Sequence, residues 1–371
     1  MRPRIKSITL RGFKTVRELV DFQPGPLSVF IGSNGAGKSN FISFFQMLSW
    51  SLASPGQLQE YVSRAGGASR ILHDGPETTR EIEAEMTLET GVGENQYAFR
   101  LVFASGDILI YTQERFRYSS KDLPGQASWQ ELDAGAREAS LISHSQTEGG
   151  NKTAPTILSL LRKIIVHQFH NTSQTARIRT KWGKSDNYRL KEDAGNLAAV
   201  LLRLKEEHGR YYQRIVDHVR LVLPFFADFE LVPEYGSVIL GWREKGTDRV
   251  FSSSQAADGM LRVFALITLL LQPENDLPDV LILDEPELGL HPCAIKVVGD
   301  LLRGVSSKIQ VFVATQSVSL LDCFDPGDVV VVDRRGRESC FRRQDAKALE
   351  AWLQEYSLSE LWEKNVLGGR P

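Results

Sequence analysis

The feature that most constrains the fold of this chain is a glycine-rich segment at residues 32–39, which directly follows a short apolar run. The fixed positions of the pattern G-x-x-x-x-G-K-[ST] are occupied by Gly32, Gly37, Lys38 and Ser39. Leu27–Ile31 predicts a buried strand before this segment, and residues 40–48 predict a helix after it. An accidental match by a glycine-rich turn is the alternative, but the flanking strand and helix argue against it. The segment therefore predicts a site for a nucleoside triphosphate.

The chemistry of this loop follows from its backbone. Its glycines permit tight turns, so that successive N–H groups can point at phosphate oxygens, and the following helix presents the positive end of its dipole to the same anion. Lys38 is expected to reach the β- and γ-phosphates, and the Ser39 hydroxyl is expected to complete the shell of a Mg²⁺ ion. ATP and Mg²⁺ are therefore the predicted cofactors, with the nucleotide held by Gly32, Ser33, Asn34, Gly35, Ala36, Gly37, Lys38, Ser39 and Asn40.

A second segment, Val280–Pro286, complements the first. Four apolar residues followed by an acid place Asp284 at the carboxyl edge of a buried strand, where α/β sheets bind ligands. We expect Asp284 to hold Mg²⁺ and Glu285 to act on the attacking water as a general base. Two adjacent acids are ordinarily solvated loop residues, but here they end a hydrophobic strand in a chain that carries a phosphate-binding loop. Lys38 and Asp284 are 284 − 38 = 246 residues apart, so the two parts of the predicted site are joined across a large insertion.

Composition excludes several classes of function. The net charge is −2 from 44 basic and 46 acidic residues, so no global attraction to nucleic acid or membranes is expected. The cysteines, Cys293, Cys323 and Cys340, match no metal spacing and no even disulfide framework, which is typical of a reducing cytoplasm. The sequence predicts no signal peptide, and its longest apolar run, residues 263–271, is too short to cross a bilayer. We therefore expect a cytoplasmic protein without a membrane partner.

Hydrophobic patterning predicts further elements outside the two motifs. Residues 5–11 predict an edge-like strand. Alternating stretches predict an antiparallel meander at residues 81–88, 97–103 and 107–111. Residues 125–152 are rich in Gly, Ser, Gln and Glu and predict a mobile excursion. Residues 346–362 predict a polar helical segment.

The later part of the chain alternates between helical and α/β character. Residues 170–260 predict a mainly helical subdomain, with a short strand pair around Val238 and Trp242. Continuous apolar runs at residues 280–283 and 309–314 then indicate strands of a parallel sheet that is covered on both faces.

Four motifs together resemble those of ABC-type ATPases of the RecF/SMC/OLD-like group. They are Leu10–Lys14 (LRGFK), Gly32–Asn40 (GSNGAGKSN), Asp284–Pro292 (DEPELGLHP) and Ala314–Ser317 (ATQS). More narrowly, the chain is similar to compact bacterial proteins called AAA family ATPases or predicted ATPases, and its closing segment, residues 362–371, is similar to the end of that group. The resemblance covers nearly the whole chain. It implies an α/β fold, that of an ABC-type ATPase head (a P-loop NTPase), with an N-terminal antiparallel β lobe and a helical subdomain inserted between Walker A and Walker B.

The implied domain organisation has three parts. Residues 1–169 form an N-terminal ATPase lobe with the P-loop and the β meander, and residues 170–260 form the mainly helical subdomain that bears the signature segment. Residues 261–371 form the C-terminal ATPase part with Walker B, the D-loop at residues 287–291, the switch and a C-terminal helix. No long heptad run predicts the coiled-coil arms of a full SMC protein, and the 371 − 317 = 54 residues after Ser317 are too few for a Toprim nuclease domain. We therefore expect any nuclease to act in trans.

The resemblance also implies roles in a head-to-tail homodimer that sandwiches two ATP molecules. Each nucleotide would contact the P-loop of one subunit and the signature segment of the other, where Asp258 and Gly259 begin a helix with exposed N–H groups. Ala257 stands where family members usually have Ser, which removes one hydroxyl contact. Gln316 occupies the switch position, often His in this class, and is expected to bridge the γ-phosphate and water. Gln168 is the expected Q-loop residue and metal ligand.

Two functions of different classes remain open. The first is a soluble ATPase whose ATP-dependent dimerisation switches a partner or grips DNA, in DNA repair or phage defence, with water attacking the γ-phosphate in line. The second is an ATP-sensing module that hydrolyses poorly and controls a separate effector, such as a nuclease. Glu285 favours turnover, whereas Ala257 and Gln316 favour the second function. The basic stretch at residues 177–191 is a candidate for contacts with DNA phosphates, although a charged loop is usually a solvated one.

Overall fold

The computed structural model describes residues 2–122, 127–147 and 152–369. Its strands are β1 (Arg4–Phe13), β2 (Val16–Phe22), β3 (Leu27–Ile31), β4 (Glu81–Glu89), β5 (Gly93–Ala104), β6 (Ile108–Ser120), β7 (Gln130–Glu131), β8 (Ile164–His167), β9 (Trp182–Gly183), β10 (Phe226–Glu230), β11 (Ser237–Val238), β12 (Gly241–Glu244), β13 (Val250–Ser252), β14 (Val280–Asp284), β15 (Gln310–Thr315), β16 (Val329–Arg335) and β17 (Glu338–Arg343). Its α-helices are α1 (Lys38–Ala53), α2 (Gln57–Arg64), α3 (Ser140–Ser145), α4 (Thr153–Leu161), α5 (Leu197–Glu207), α6 (Gly209–Val222), α7 (Asp258–Leu271), α8 (Pro292–Ser306), α9 (Val318–Leu321), α10 (Ala346–Leu349) and α11 (Leu358–Glu363).

These elements group into two compact units. The first comprises Met1–Ile165 together with Pro326–Pro371, and the second comprises Val166–Asp325. The predicted division into three parts, with boundaries at residues 169 and 260, is based on motifs. It is a different kind of division from these two compact units and stays a prediction. Within the described ranges, no helix is both long enough and apolar enough to cross a membrane.

The first unit contains an antiparallel sheet with the strand order β2-β1-β4-β5-β6-β7. Strands β4, β5 and β6 pair in sequence, with Met86 opposite Tyr97 and Tyr97 opposite Phe116. Side chains along these strands tend to alternate between buried and more exposed positions, as expected for a sheet with one covered face. The structure therefore contains the meander that the alternation predicts. β1 lies between β2 and β4, so the prediction that this strand is at an edge is wrong.

The stretch predicted as a mobile excursion, residues 125–152, contains regular elements where the structure describes it. Residues 127–147 contain β7 and α3, while the four residues on either side lie outside the described part. Glu114 on β6 anchors this stretch, because its carboxylate accepts hydrogen bonds from the Tyr97 hydroxyl at 2.7 Å and from two backbone N–H groups at the start of α3 at 2.7 and 3.1 Å. Glu114 is buried, and burial raises the pKa of its carboxyl. One buried acid thus connects the start of α3 to β6 and β5, while the mobility of the stretch stays a prediction.

Three strands of the first unit form a mixed arrangement beside the glycine-rich loop. β16 runs parallel to β3, with Val330 opposite Phe30, and antiparallel to β17, with Val332 opposite Phe341. Every residue of β3 is buried, which explains its continuous apolar sequence. Phe30 and Phe341 both pack against Phe41 of α1, with ring centroids 5.2 Å apart in each pair. Aromatic packing therefore fixes the strand before the loop to the helix after it.

The end of the described chain also packs beside this loop. A Cβ atom on Gly369 would lie 2.8 Å from Val331 Cγ1 and 3.5 Å from Gly32 Cα, and the φ angle of Gly369 is 78°. Only glycine fits such a left-handed position at this close approach. Arg342 Nη2 holds the segment in place by donating to the Leu367 carbonyl at 2.7 Å. Before it, α10 and α11 are separate short helices, so the helical segment predicted for this region is interrupted.

The second unit is built around the parallel strands β14 and β15. Leu281 lies opposite Val311, and Asp284 lies opposite Ala314. Every residue of both strands is buried, as expected for a parallel pair that is covered on both faces. Because the strands run in the same direction, their carboxyl ends lie at one edge, which is where α/β sheets bind ligands. The second predicted motif therefore lies at the carboxyl edge of this pair.

Between residues 170 and 260, the second unit contains more strand than the sequence predicts. β10, β12 and β13 form one antiparallel sheet, and β9 pairs with β11. Val238 lies opposite Trp182, whereas Trp242 lies opposite Phe251. The strand pair predicted around Val238 and Trp242 is therefore wrong, since each residue belongs to a different sheet.

We expect Glu114→Gln to change how stability depends on pH. Folding raises the pKa of the Glu114 carboxyl above its ordinary value of 4.5. The folded state therefore binds this proton more tightly than the unfolded state does, and the wild type loses stability as pH rises from below 4.5 through the pKa of the folded state. Gln carries no charge at this position. The melting temperature of the variant minus that of the wild type should therefore increase between about pH 4 and about pH 8. Glu77→Gln, at an exposed carboxyl of the same unit, is the control and should show no such trend. A difference that does not vary with pH would contradict this account.

Candidate nucleotide site

The glycine-rich loop lies between β3 and α1, and its conformation depends on its glycines. Gly35 and Gly37 have φ angles of 78° and 111°, a region that other L residues rarely adopt. Lys38 is 5% exposed, and its Nζ donates to the carbonyl oxygens of Gly32 and Ser33 at 2.7 and 3.2 Å. The ammonium group therefore lies over the first residues of the loop, as required of a lysine that meets phosphate.

The start of α1 is suited to an anion. This helix has 16 residues, and its N-cap is Gly37, which has no side chain to cap it. The first N–H groups of the helix point outward from its end, and the helix dipole adds positive potential there. Ser39 is exposed, whereas the Asn40 side chain is directed elsewhere and donates to Thr15 Oγ1 at 2.9 Å. The residues of this loop therefore fit a bound phosphate group.

In the second unit, Asp284 at the end of β14 has two neighbours from the segment after β8. Gln168 Nε2 donates to Asp284 Oδ2 at 3.2 Å, and His170 Nε2 lies 2.9 Å from the Asp284 carbonyl oxygen. Gln168 and Asp284 are 116 residues apart in sequence, and the fold brings them together. Carboxylate and amide oxygens are the ligands that Mg²⁺ prefers, so the chemistry of this pair fits the ion. His170 is a neighbour to which the sequence assigned no role.

Glu285 follows Asp284 in a strained backbone conformation. Its φ angle is 43°, in the left-handed region that a non-glycine residue seldom occupies. Its N–H donates to the Ala314 carbonyl at 2.8 Å, and its Oε1 accepts a hydrogen bond from Gln316 Nε2 at 3.0 Å. The fold therefore brings the predicted base and the predicted switch residue into contact. A carboxylate held in this way can accept a proton from a water molecule that the amide helps to orient.

Glu287 is a buried acid at the same edge, and sequence reasoning placed it only within the D-loop. Its Oε1 accepts the Thr315 hydroxyl at 2.5 Å, and Thr315 Oγ1 accepts the backbone N–H of Ser317 at 2.9 Å. Burial raises the pKa of the Glu287 carboxyl. These contacts tie the segment after Glu285 to the end of β15, where Gln316 lies. The repeated acid in D-E-P-E is the sequence signal that could have identified Glu287.

Helix α7, which begins with the predicted signature segment, packs closely against the predicted D-loop. A Cβ atom on Gly259 would lie 2.8 Å from the Gly289 carbonyl oxygen, so only glycine allows this approach. Arg262, one turn further along α7, donates to the Phe169 carbonyl at 3.1 Å and to the Leu288 carbonyl at 2.9 Å. A single arginine thus joins the signature helix, the segment after β8 and the D-loop. Sequence reasoning missed it because both acceptors are backbone atoms distant in sequence.

The basic stretch at residues 177–191 is paired with acceptors inside the second unit. Arg179 is buried and donates to the Ser253 carbonyl at 2.5 Å and to Asp258 Oδ1 at 2.8 Å. Other cations of the stretch form the ion pairs Arg177–Asp193, Lys181–Glu234, Lys184–Glu206 and Lys191–Asp186. Arg179 therefore supports the residues before α7. The residues next to Arg179 in sequence do not indicate that it is buried, because these two acceptors are 74 and 79 residues away.

Fold and site together define the class of the protein. The protein is a P-loop NTPase of the RecF/SMC-like ABC type. It has the parts that define this class: a buried strand, a glycine-rich loop with its lysine, a helix, and an acid at the end of a parallel strand. The chain belongs to the family described as "AAA domain, putative AbiEii toxin, Type IV TA system", whose model matches residues 27–322. Relationship to this family suggests ATPase activity.

Solved structures with the same fold include two SMC heads. One is the SMC head bound to the C-terminal winged-helix domain of ScpA, with 16% identity and a TM-score of 0.57 over 93% of this chain and 99% of that chain. The other is an SMC head with an extended coiled coil, bound to the C-terminal domain of ScpA derived from Pyrococcus furiosus, with 16% identity and a TM-score of 0.57 over 95% and 99% of the two chains. None of the curated proteins has a significant match to the chain. The α/β ABC-type head predicted from the motifs is confirmed.

Two glycine-to-alanine substitutions should have opposite effects on the stability of the second unit. Gly259→Ala forces a Cβ atom against the Gly289 carbonyl and should cost about 1–3 kcal/mol of unfolding free energy. Gly304→Ala, in α8 where a Cβ atom meets nothing within 4 Å, should add about 0.4–1 kcal/mol. Urea unfolding midpoints measure both values. Equal shifts for the two variants would contradict the close packing of α7 against the D-loop.

Proposed function

We propose that the chain binds and hydrolyses ATP, dimerises head-to-tail around the nucleotide, and thereby switches a partner protein or its own engagement with DNA. The observation that carries this proposal is the geometry after β14, where Glu285 is held at a φ angle of 43° with its carboxylate 3.0 Å from Gln316 Nε2. Backbone strain of this kind persists where surrounding contacts fix a side chain for function.

The P-loop supplies binding and charge. Backbone N–H groups of residues 32–40 cradle the phosphates, and Lys38 balances the negative charge that develops on the β- and γ-phosphates. Mg²⁺, when bound, neutralises charge on the same phosphate oxygens. Ser39, Asp284 and Gln168 are the oxygen donors that would hold it. The support for these roles is the left-handed glycine backbone, the uncapped start of α1 and the contact between Gln168 and Asp284.

Hydrolysis is assigned to Glu285 with Gln316. Glu285 accepts a proton from the attacking water, and the Gln316 amide helps to orient that water. The water oxygen bonds to the γ-phosphorus as the bond to the β–γ bridging oxygen breaks, which releases ADP and phosphate. Glu287 and Thr315 keep Gln316 in place, as their 2.5 Å hydrogen bond supports.

Dimerisation is assigned to the start of α7 and the D-loop. N–H groups at Asp258 and Gly259 of one subunit meet the γ-phosphate that the other subunit binds. Two features support this role: the Asp258 side chain is 59% exposed, and Leu288 of the D-loop is an apolar residue that is 41% exposed. A second copy of the chain would cover this apolar residue. The solved SMC heads are bound to ScpA, which supports a separate effector protein as the partner that is switched.

A second function, ATP sensing with little hydrolysis, is favoured by a different observation. The donor that contacts Glu285 is the neutral amide of Gln316, which cannot carry positive charge to the transition state. Ala257, the N-cap of α7, offers no hydroxyl at the signature position. In this case ATP binding alone assembles a complex with an effector such as a nuclease.

Engagement with DNA, and a setting in DNA repair or phage defence, rest on the resemblance. Most cations of residues 177–191 already face acids, so binding DNA through that stretch would require several of these ion pairs to open. Any such binding should therefore be weak and should decline with salt.

The test is steady-state ATP hydrolysis by the wild type and Glu285→Gln, each with and without double-stranded DNA, with oligomer mass recorded in parallel. We expect the wild type to turn over and the variant to lose at least about 10²-fold in rate, because the general base is gone. An ATP-dependent dimer should accumulate in the variant, which binds ATP without cleaving it. Glu207→Gln, at an exposed acid of the same unit, is the matched control and should keep wild-type activity.

The outcomes separate the two functions. ATP binding without hydrolysis in both the wild type and Glu285→Gln would replace the ATPase with the sensing module. Absence of ATP binding by the wild type would overturn both. Stimulation by DNA that falls with rising salt would identify nucleic acid as the ligand class.

A further inference from the structure

A chain of hydrogen bonds adjoins the last glycine of the P-loop. Ser339 on β17 is 2% exposed, and its Oγ lies 2.6 Å from the Ala36 carbonyl oxygen and 2.7 Å from Thr15 Oγ1. Thr15 lies in the turn between β1 and β2, and its Oγ1 is 2.9 Å from Asn40 Nδ2. The Ser339 N–H also donates to the Thr15 carbonyl at 2.7 Å. Three distant parts of the chain therefore meet beside the loop.

The direction of each hydrogen bond follows from what its atoms can donate. A carbonyl oxygen only accepts, so the single proton of the Ser339 hydroxyl goes to Ala36. The Ser339 hydroxyl is also in position to donate to Thr15 Oγ1, which accepts from Asn40 Nδ2 as well. The Ala36 carbonyl is therefore the backbone atom of the loop that the Ser339 hydroxyl holds.

The position of the Ala36 carbonyl determines where the next N–H points. The described residues contain no cis peptide bond, and in a trans peptide the C=O and the N–H point to opposite sides. Holding the Ala36 oxygen at Ser339 therefore turns the Gly37 N–H away from β17. A Cβ atom on Gly37 would lie 1.9 Å from Ser339 Oγ and 2.5 Å from Thr15 Oγ1, so the two hydroxyls fill the space on that side.

We propose that Thr15 and Ser339 are positioning residues for the nucleotide, which keep the Ala36–Gly37 peptide turned so that its N–H, and not its carbonyl, faces the phosphates. The inference rests on the proposed function in taking this loop as the phosphate site. A peptide turned the other way would place a carbonyl dipole against an anion and remove one donor. Both residues act through the backbone. Ser339 is 303 residues from Ala36, so a motif match does not reveal it.

The test is isothermal titration of ADP into the full chain, for the wild type, Ser339→Ala, Thr15→Val and the double variant. We expect each single variant to bind ADP about tenfold more weakly, equal to about 1.4 kcal/mol. The double variant should lose less than the sum of the two, since both side chains belong to one hydrogen-bond chain. Thr15→Ser keeps the hydroxyl and should restore affinity. In turnover, KM should rise by a similar factor while kcat changes by less than about threefold.

Ser51→Ala is the matched control. Ser51 is also 2% exposed, and its hydroxyl donates to the Leu48 carbonyl at 2.9 Å within α1, away from the loop. Its loss should leave ADP affinity unchanged, and an equal loss in Ser51→Ala would overturn the inference as a general effect of destabilisation. Wild-type affinity in both Ser339→Ala and Thr15→Val would also overturn it, and if Ser339→Ala does not fold, Thr15→Val decides. A wild type that binds no nucleotide would instead refute the proposed function.

Discussion

A loop that presents its backbone N–H groups to an anion cannot use those groups to hold its own shape, and the first unit is arranged around this constraint. The loop is rich in glycine, which has more backbone freedom than any other residue, so its conformation must be imposed from outside. β17 imposes much of it. Phe341 packs on both Phe30 and Phe41, which fixes the strand and the helix on either side of the loop. Ser339, two residues earlier, holds the Ala36 carbonyl within the loop itself. One strand near the end of the chain therefore stabilises a motif near its start.

The acidic edge of the second unit has the opposite requirement, because its carboxylates must be held in place without losing their charge. A cation would position a carboxylate strongly but would also lower its basicity. Each of these carboxylates has a neutral donor: the Gln168 amide at Asp284, the Gln316 amide at Glu285 and the Thr315 hydroxyl at Glu287. Neutral donors orient a carboxylate and leave it able to bind a metal ion or to accept a proton. This choice of donors explains why polar uncharged residues matter as much here as the acids.

The parts that could be predicted from sequence are those encoded by short contiguous patterns. The phosphate loop, the strand that ends in Asp284 and the meander each depend on neighbours within a few residues, and the structure contains all three. The failures depend on distant partners. Arg179 reads as part of a solvated basic stretch, but acceptors more than 70 residues away bury it. Residues 125–152 show little periodicity, and the contact of α3 with Glu114 on β6 was not predicted. Burial of a polar side chain is decided by such partners, and a local pattern does not contain them.

The predicted D-loop, residues 287–291, is contacted by several separate parts of the second unit. Glu287 joins it to Thr315 and so to the edge that carries the predicted base. The Leu288 carbonyl accepts from Arg262, which also holds the segment that carries the predicted Q-loop residue. The Gly289 carbonyl leaves no room for a side chain at Gly259, where the signature helix begins. Moving this segment away from β15 would leave the buried Glu287 carboxylate without its Thr315 partner. The start of α7 and the acidic edge are therefore both tied to the same five-residue segment, residues 287–291.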